Sequence, residues 1–479
     1  MRGQPNILWI CSDQQRWDTL GCYGNPFVRT PNLDRLAAEA FCFETAICQN
    51  PVCTPSRASF LTGRYPRTTR ARANGQAIPE GEVLVTKLFR DAGYFCGLHG
   101  KLHISPCNPK ACDGMERRID DGYHVFDWSH HPGGDLARDQ PGNAYLRWLL
   151  DHGQRFATAP VEACRHAQFG MDEPWHQTTW CVDRALSFIA AARAAGRPWF
   201  SSVNCFDPHH PFDPPRAFLE PYLQRLDEIP LPVDLDRAEM TTWQRIDRGG
   251  AYGGINALAG ARLTPREHRL IRAAYWAMCD LLDAQVGRLL KALDDSGQRE
   301  HTIVIYTSDH GELLGDHGIY LKGPHFFEPA VHVPLLMRVP GMAGRRMGDI
   351  VELVDLAPTL CELAGVAPHP GMQGRSLGPL LRGERSAPHR DDAYCEFYNS
   401  NFNFEPPPYA TMVRTRRHKL AVYHHSGEGE LYDLETDPHE TRNLWRNPAA
   451  RDLKADMLLR LCDRMADTVD PLPPRLAPW

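Results

Sequence analysis

Residues 50–66 read Asn-Pro-Val-Cys-Thr-Pro-Ser-Arg-Ala-Ser-Phe-Leu-Thr-Gly-Arg-Tyr-Pro. Pro55 fits the first turn of a helix, where its missing N–H costs nothing, and Gly63 with Pro66 marks where that helix stops. Positions i and i+4 share a helix face, so Cys53 and Arg57 are expected to point together at a positive helix N-terminus. That is a place for an anion with a sulfur atom beside it. A lone buried cysteine is more often a small core residue, so the rest of the chain has to decide between the two.

Outward from this stretch, residues 6–11, 199–206 and 302–307 read as buried strands of a parallel sheet. Each runs into a turn bearing an acid: Asp13, then Asp207 ahead of His209, then Asp309 ahead of His310. Further strands are predicted at 41–47, 94–98 and 331–339. Helices are predicted from Pro31 with Thr30 as N-cap, and at 83–92, 175–195, 265–295 and 354–364. Residues 104–174 and 211–262 read as long loops, a length that favours function. Antiparallel strands at 409–423 and 429–434 belong to a smaller C-terminal unit. Strands alternating with helices imply an α/β fold with a large, mostly parallel sheet. The composition turns polar near residue 382, which divides the chain into units 1–382 and 383–479. Groups at the carboxyl ends of parallel strands share a crevice, so Asp13, His209, Asp309 and His310 are expected to converge.

The chain has 479 residues, enough for one large domain and a smaller one, and a net charge of −6 gives no global reason to expect nucleic acid or an anionic membrane as partner. No apolar run reaches the length of a membrane span, and the chain enters its first strand almost at once, leaving no room for a signal peptide. Fifteen cysteines without regular spacing suggest a reducing compartment, and so a cytoplasmic protein.

Residues 53–64, Cys-Thr-Pro-Ser-Arg-Ala-Ser-Phe-Leu-Thr-Gly-Arg, resemble the signature of the type I, formylglycine-dependent sulfatases of the alkaline phosphatase superfamily. In that family the cysteine is oxidised to formylglycine after translation, and the hydrate of the aldehyde is the nucleophile. The resemblance implies a large mixed sheet flanked by helices, with a C-terminal α+β subdomain carrying an antiparallel sheet. It extends to residues 351–360 and 431–438, read as structural segments.

Asp13, Gln14, Asp309 and His310, with Cys53, match the family's metal site. Carboxylate and amide oxygens suit a hard divalent cation, and one imidazole moves the expectation from Mg2+ toward Ca2+ or Mn2+. Many sulfatases have aspartate where Gln14 stands and asparagine where His310 stands. The pairs Asp13-Gln14 and Asp309-His310 look like the branch containing phosphonate monoester hydrolases, arylsulfatases and choline sulfatases. Lys101 and His103 resemble the family Gly-Lys-x-His segment, His209 its histidine on the leaving-group side, and Lys322 its lysine beyond the second metal aspartate. Asn74 matches a polar residue that contacts the nucleophile. His210, His325 and His332 are left as structural or substrate-side groups, and Phe402, Phe404 and Tyr409 either wall the pocket or belong to the core.

The resemblance implies hydrolysis of an aryl or small alkyl sulfate monoester. Arg57, Lys101 and Lys322 would serve the sulfuryl oxygens and the nucleophile. His209 would protonate the leaving oxygen, and His103 would take a proton from residue 53 to release sulfate. The alternatives are a phosphonate monoester or phosphodiester hydrolase, and a non-catalytic anion-binding homologue. Phosphonate hydrolases carry Tyr-x-Thr-type residues at the Lys101–His103 position, so this chain leans to sulfate. The resemblance also implies a formylglycine-generating enzyme as maturation partner and a homo-oligomer, a dimer or tetramer.

Overall fold

β1 (Asn6–Ser12) lies inside a nine-stranded sheet, parallel to β7 (Trp199–Asn204) on one side and β8 (Thr302–Ser308) on the other. The computed structural model describes residues 4–473 apart from 109–110, 113, 131–140, 163, 235–238, 385–386 and 402–403. Beyond β7 follow β3 (Phe95–Gly100) and β4 (Val125–Trp128), both parallel to it. Beyond β8 lie β10 (Leu335–Arg338), β2 (Phe41–Ile47) and β11 (Arg346–Glu352), with β9 (His332–Val333) also pairing with β2. β10 runs antiparallel to both β8 and β2, so the sheet is mixed but mostly parallel.

Side chains alternate across a strand, and β1 uses both faces. Leu8 and Ile10 pack with Trp180, Leu282, Val286 and Leu289, which lie on the helices Gln177–Ala194 and Pro265–Asp295. Ile7 and Trp9 pack on the other face with Ala58, Phe60, Phe89 and Leu360, from the helices Cys53–Thr62, Val85–Asp91 and Leu356–Ala364. Burial on both faces is why these strands read as continuous apolar runs. The long helix starts at Thr264, whose side chain accepts the Glu267 N–H while Glu267 accepts from the Thr264 backbone.

The C-terminal part is a four-stranded antiparallel sheet of β12 (Asp392–Tyr398), β13 (Tyr409–Thr415), β14 (His418–Tyr423) and β15 (Glu428–Asp433). The helix Arg451–Asp467 packs on it through Met457 and Leu461.

Several expectations need correction. The strand expected at 331–339 breaks at Pro334 into β9 and β10, because proline has no N–H to give the ladder. The strand expected at 409–423 is a hairpin of β13 and β14. Residues 104–174 contain β4, a helix Ala144–Asp151 capped by Asn143, and a hairpin of β5 (Ala159–Val161) and β6 (Cys164–Phe169). Residues 211–262 hold the helices Arg216–Leu223 and Thr242–Gly249, too short for a period of 3.6 to stand out. Thr30 does precede the helix Pro31–Glu39, but its hydroxyl accepts the Gly21 N–H at 2.8 Å and so does not cap the helix.

Candidate active site

The carboxyl ends of β8, β1, β7 and β3 lie side by side, and each delivers part of one cluster. The Asp13 N–H donates to the Asp207 carbonyl at 3.0 Å, and the Lys101 N–H to the Asn204 carbonyl at 2.9 Å. These bonds continue the strand pairing into the loops and fix where Asp13 and Lys101 emerge. Gln14, His103 and Leu321, beside Lys322, all hold left-handed φ values of 58–66°. Such backbone costs a non-glycine residue of order 1 kcal/mol and persists only where its surroundings impose it.

The helix Cys53–Thr62 meets this edge from the other side, with every residue buried and Gly63 ending it at φ 69°. Asn74 Oδ1 accepts the Thr54 N–H at 3.0 Å, so Asn74 satisfies the helix start next to Cys53. Ser56 Oγ donates to the Asp309 carbonyl at 2.5 Å, locking helix to loop. Arg57 turns inward, and each of its three nitrogens finds a partner there. Its Nε meets Asp309 Oδ2 at 2.8 Å, one terminal nitrogen meets Asp13 Oδ2 at 3.3 Å, and the other donates to the Lys101 carbonyl at 3.0 Å. The open anion site that the sequence suggested for Arg57 is filled by the protein's own carboxylates.

Cys53 Sγ lies 3.2 Å from His310 Nε2, 3.1 Å from Lys322 Nζ and 3.8 Å from Asp13 Oδ1. Lys101 Nζ is bonded to Asp13 Oδ2 and sits 5.2 Å over the Phe206 ring. Lys322 Nζ also donates to Gln14 Oε1 at 2.5 Å. Burial alone would push the Asp13 carboxyl up; Lys101 and Arg57 reverse this and hold it well below the usual carboxylate range. Burial and Asp13 push the Cys53 thiol up, but Lys101, Lys322 and His310 outweigh them and bring it to about 5. Burial works against charge on His310, yet Asp309 and Cys53 hold it above the ordinary histidine value.

Asp13, Cys53, Asp309 and His310 are all buried, with donor atoms within 4.8 Å of one another. His310 Nδ1 donates to the Gly311 carbonyl at 2.9 Å, which aims Nε2 at Cys53, where a bound cation would take the place of its proton. Gln14 Oε1, turned to the same point by Lys322, keeps a second lone pair. This oxygen-rich set with one imidazole fits a divalent cation.

The histidines divide. His209 is bracketed by cis Asp207–Pro208 and His210–Pro211 bonds, and its Nδ1 meets the His210 carbonyl at 2.6 Å. Burial, then Lys322, His210 and Lys101, hold it well below its usual value. His103 is held low in the same way by burial, Lys101 and Arg57. Both therefore face the cluster as neutral imidazoles. The other three have structural partners: His210 stacks on His209, His325 meets Asp247 at 2.8 Å, and His332 pairs with Glu328 at 3.1 Å. Asp207, for all its position, turns away to accept from the Thr178 hydroxyl at 2.6 Å. Phe404 is core, Tyr409 is exposed on β13, and Phe402 lies outside the described residues.

Two glutamates that the sequence reading passed over hold the site in shape. Glu312 accepts from Gln14 Nε2 and from the N–H groups of Leu314 and Leu321, the latter two at 2.8 and 2.5 Å. Glu116 accepts the N–H groups of His103 and Ser105 at 2.7 and 2.8 Å, that of Ile104, and Trp128 Nε1 at 3.0 Å. Glu312 follows the Asp309-His310-Gly311 turn directly, which was a usable signal. Glu116 lies in a stretch with no periodicity and gave none. Tyr252, buried in another such stretch, lies beside His210, with ring centroids 5.8 Å apart.

The fold is alkaline-phosphatase-like. A phosphonate monoester hydrolase from Silicibacter pomeroyi superposes with a TM-score of 0.82 at 25% identity, covering 98% of this chain and 96% of that one. The sulfatase family profile matches residues 5–366, and the N-sulphoglucosamine sulphohydrolase C-terminal profile matches residues 315–467. The chain is 30% identical to an arylsulfatase of Clostridium perfringens, over 92% of this chain and 90% of that one. It is 29% identical to a choline-sulfatase of Rhizobium meliloti, over 93% and 83%. This chain belongs to the sulfatase family.

Proposed function

We propose that the protein hydrolyses an aryl or small alkyl sulfate monoester to alcohol and sulfate, using residue 53 as formylglycine. The observation that carries this is the place of Cys53 Sγ, in contact at once with Lys322 and His310 and 3.8 Å from Asp13. The hydrated aldehyde supplies one hydroxyl to attack sulfur and a second to release sulfate. Asp13, Gln14, Asp309, His310 and residue 53 would hold one divalent cation, Ca2+ or Mn2+ before Mg2+, which supplies positive charge to the nucleophile and a sulfuryl oxygen.

Lys322 stabilises the attacking oxygen of residue 53 and one sulfuryl oxygen, and Lys101 acts beside it. Arg57 pairs with both aspartates and keeps them aimed. His209 donates a proton from Nε2 to the leaving oxygen. Burial and, after it, the lysines keep this ring neutral, and the negative charge of a bound ester opposes the lysines' part. His103, neutral before reaction, takes the proton of the second hydroxyl. Asn74 holds the helix bearing residue 53.

The count and irregular spacing of the cysteines support a reducing, cytoplasmic setting, and among the described residues no helix is long and apolar enough to cross a membrane. A second reading, a phosphonate monoester or phosphodiester hydrolase, is favoured by the structural likeness to the Silicibacter enzyme. The Lys101 and His103 pair argues for sulfate.

The test has two parts. Intact mass should register exchange of the Cys53 sulfur for oxygen with loss of two hydrogens. The matured enzyme is then compared on aryl sulfate, choline sulfate, aryl phosphonate and a phosphodiester. Fastest turnover of a sulfate supports the proposal. Matured enzyme that turns over the phosphorus esters and neither sulfate overturns it.

A further inference from the structure

Next to the candidate active site is a second group of ligating side chains. His103, Cys107 and His130 each offer one donor atom, and the three lie within 4.8 Å of one another. His103 and Cys107 follow β3, and His130 follows β4, its parallel neighbour. The two imidazoles meet edge to face with centroids 4.8 Å apart. The backbone beneath them is held by Glu116, which takes the His103 and Ser105 N–H groups and lies 3.8 Å from Cys107 Sγ. His103 is only 8% exposed, and its Nδ1 has no hydrogen-bond partner among the described residues. A buried imidazole nitrogen left so is costly, and a metal ion is one means of satisfying it.

The donor set differs in kind from that around Asp13 and Asp309. Two imidazoles and a thiol are borderline-soft and suit zinc, whereas carboxylates and an amide select harder ions. Three protein ligands leave a fourth position for water. A tetrahedral zinc site brings its donors to about 3.5 Å from one another, within reach of side-chain rotation from the observed spacing.

We infer that His103, Cys107 and His130 form a second metal site, of the zinc class, and that filling it inhibits the enzyme by withdrawing His103 from proton transfer. On binding, Cys107 gives its proton to solvent and ligates as thiolate. No group is oxidised or reduced. The binding half stands on the cluster alone, while the inhibitory half rests on the role proposed above for His103.

Two measurements separate these halves. Co2+ is titrated into the full-length Cys53→Ser protein, which lacks the thiol of the principal site. A thiolate-to-cobalt absorption band should appear. It should vanish when Cys107→Ser is added and need at least tenfold more Co2+ when His130→Ala is added. Absence of the band, or its survival in Cys107→Ser, overturns the site whatever the enzyme's substrate. Matured enzyme is then assayed with added Zn2+. Turnover should fall and recover on chelation, with at least tenfold more Zn2+ needed for Cys107→Ser and His130→Ala, which keep their basal activity. Equal inhibition of wild type and variants, or none, overturns the inhibitory half.

Discussion

Lys322 is the residue whose loss should be felt most in the chemistry. It touches both Cys53 Sγ, at 3.1 Å, and Gln14 Oε1. Lys322→Ala should lower kcat by about 10²–10³-fold, the usual loss for one preorganised oxyanion donor, as read in steady-state assays of matured enzyme. His209→Ala should be selective: with poor, alkyl-type leaving groups the rate should fall about 10²-fold or more, and with good aryl leaving groups far less. A plot of rate against leaving-group pKa checks this. The pH dependence has a definite sign. His103 acts as a base only when neutral, and burial with Lys101 holds it well below its usual 6.5. Where sulfate release limits turnover, the acid limb of kcat is therefore expected below pH 6.5. Gln14 explains its own departure from aspartate, because its amide donates to the buried Glu312. Gln14→Asp would set two buried carboxylates together. The melting temperature should fall by several degrees and recover in the Gln14→Asp/Glu312→Gln double variant.

At the level of elements, the site depends on loops kept taut between strand ends. Gly100, at φ 112°, ends β3 just before Lys101, and a Cβ there would sit 2.1 Å from the Asn204 carbonyl oxygen. Gly100→Ala should lose folded yield and activity together. Asp316 joins the loop after β1 to the long helix, meeting Arg16 at 2.7 Å and Arg272 at 3.0 Å. Burial raises its carboxyl, but the two guanidinium groups bring it from 3.8 to about 2. A depressed folded value stabilises fully above the unfolded value and is lost as pH falls through the folded one. Asp316 should thus contribute about 2 kcal/mol above pH 4. That contribution should disappear between pH 4 and pH 2 in denaturation experiments, and Asp316→Asn should lack it at every pH.

Across the whole molecule, the C-terminal sheet is fastened to the large sheet by buried charge. Arg464 donates to Glu352 at 2.8 Å and to Asp392 at 2.6 Å, and Arg390 pairs with Asp355. On another face Lys419 bridges Glu328 and Glu440, each at 2.7 Å. The C-terminal part also reaches the active site, since the Asn74 N–H donates to the Ser400 carbonyl at 2.9 Å. Removing one partner of such a network leaves an uncompensated buried charge. Arg464→Ala should cost about 3–5 kcal/mol in chemical denaturation, with the surviving folded fraction still active, because Arg464 touches none of the candidate catalytic groups.

The sequence alone determined what depends on near neighbours. Strands buried on both faces, the proline and glycine that bracket the Cys53 helix, and the 265–295 helix with its Thr264 and Glu267 signals all lie within a few residues of their causes. Convergence of Asp13, Asp309 and His310 followed from a general rule about strand ends and needed no distances. Only the tertiary structure decided which charge answers which. Arg57 faces two aspartates, Lys101 meets Asp13, Lys322 bridges Gln14 and Cys53, and Glu312 and Glu116 hold the loops. Buried charges must find partners, and here the partners come from strands made adjacent by the order β8-β1-β7-β3. Separation along the chain carries no record of that order.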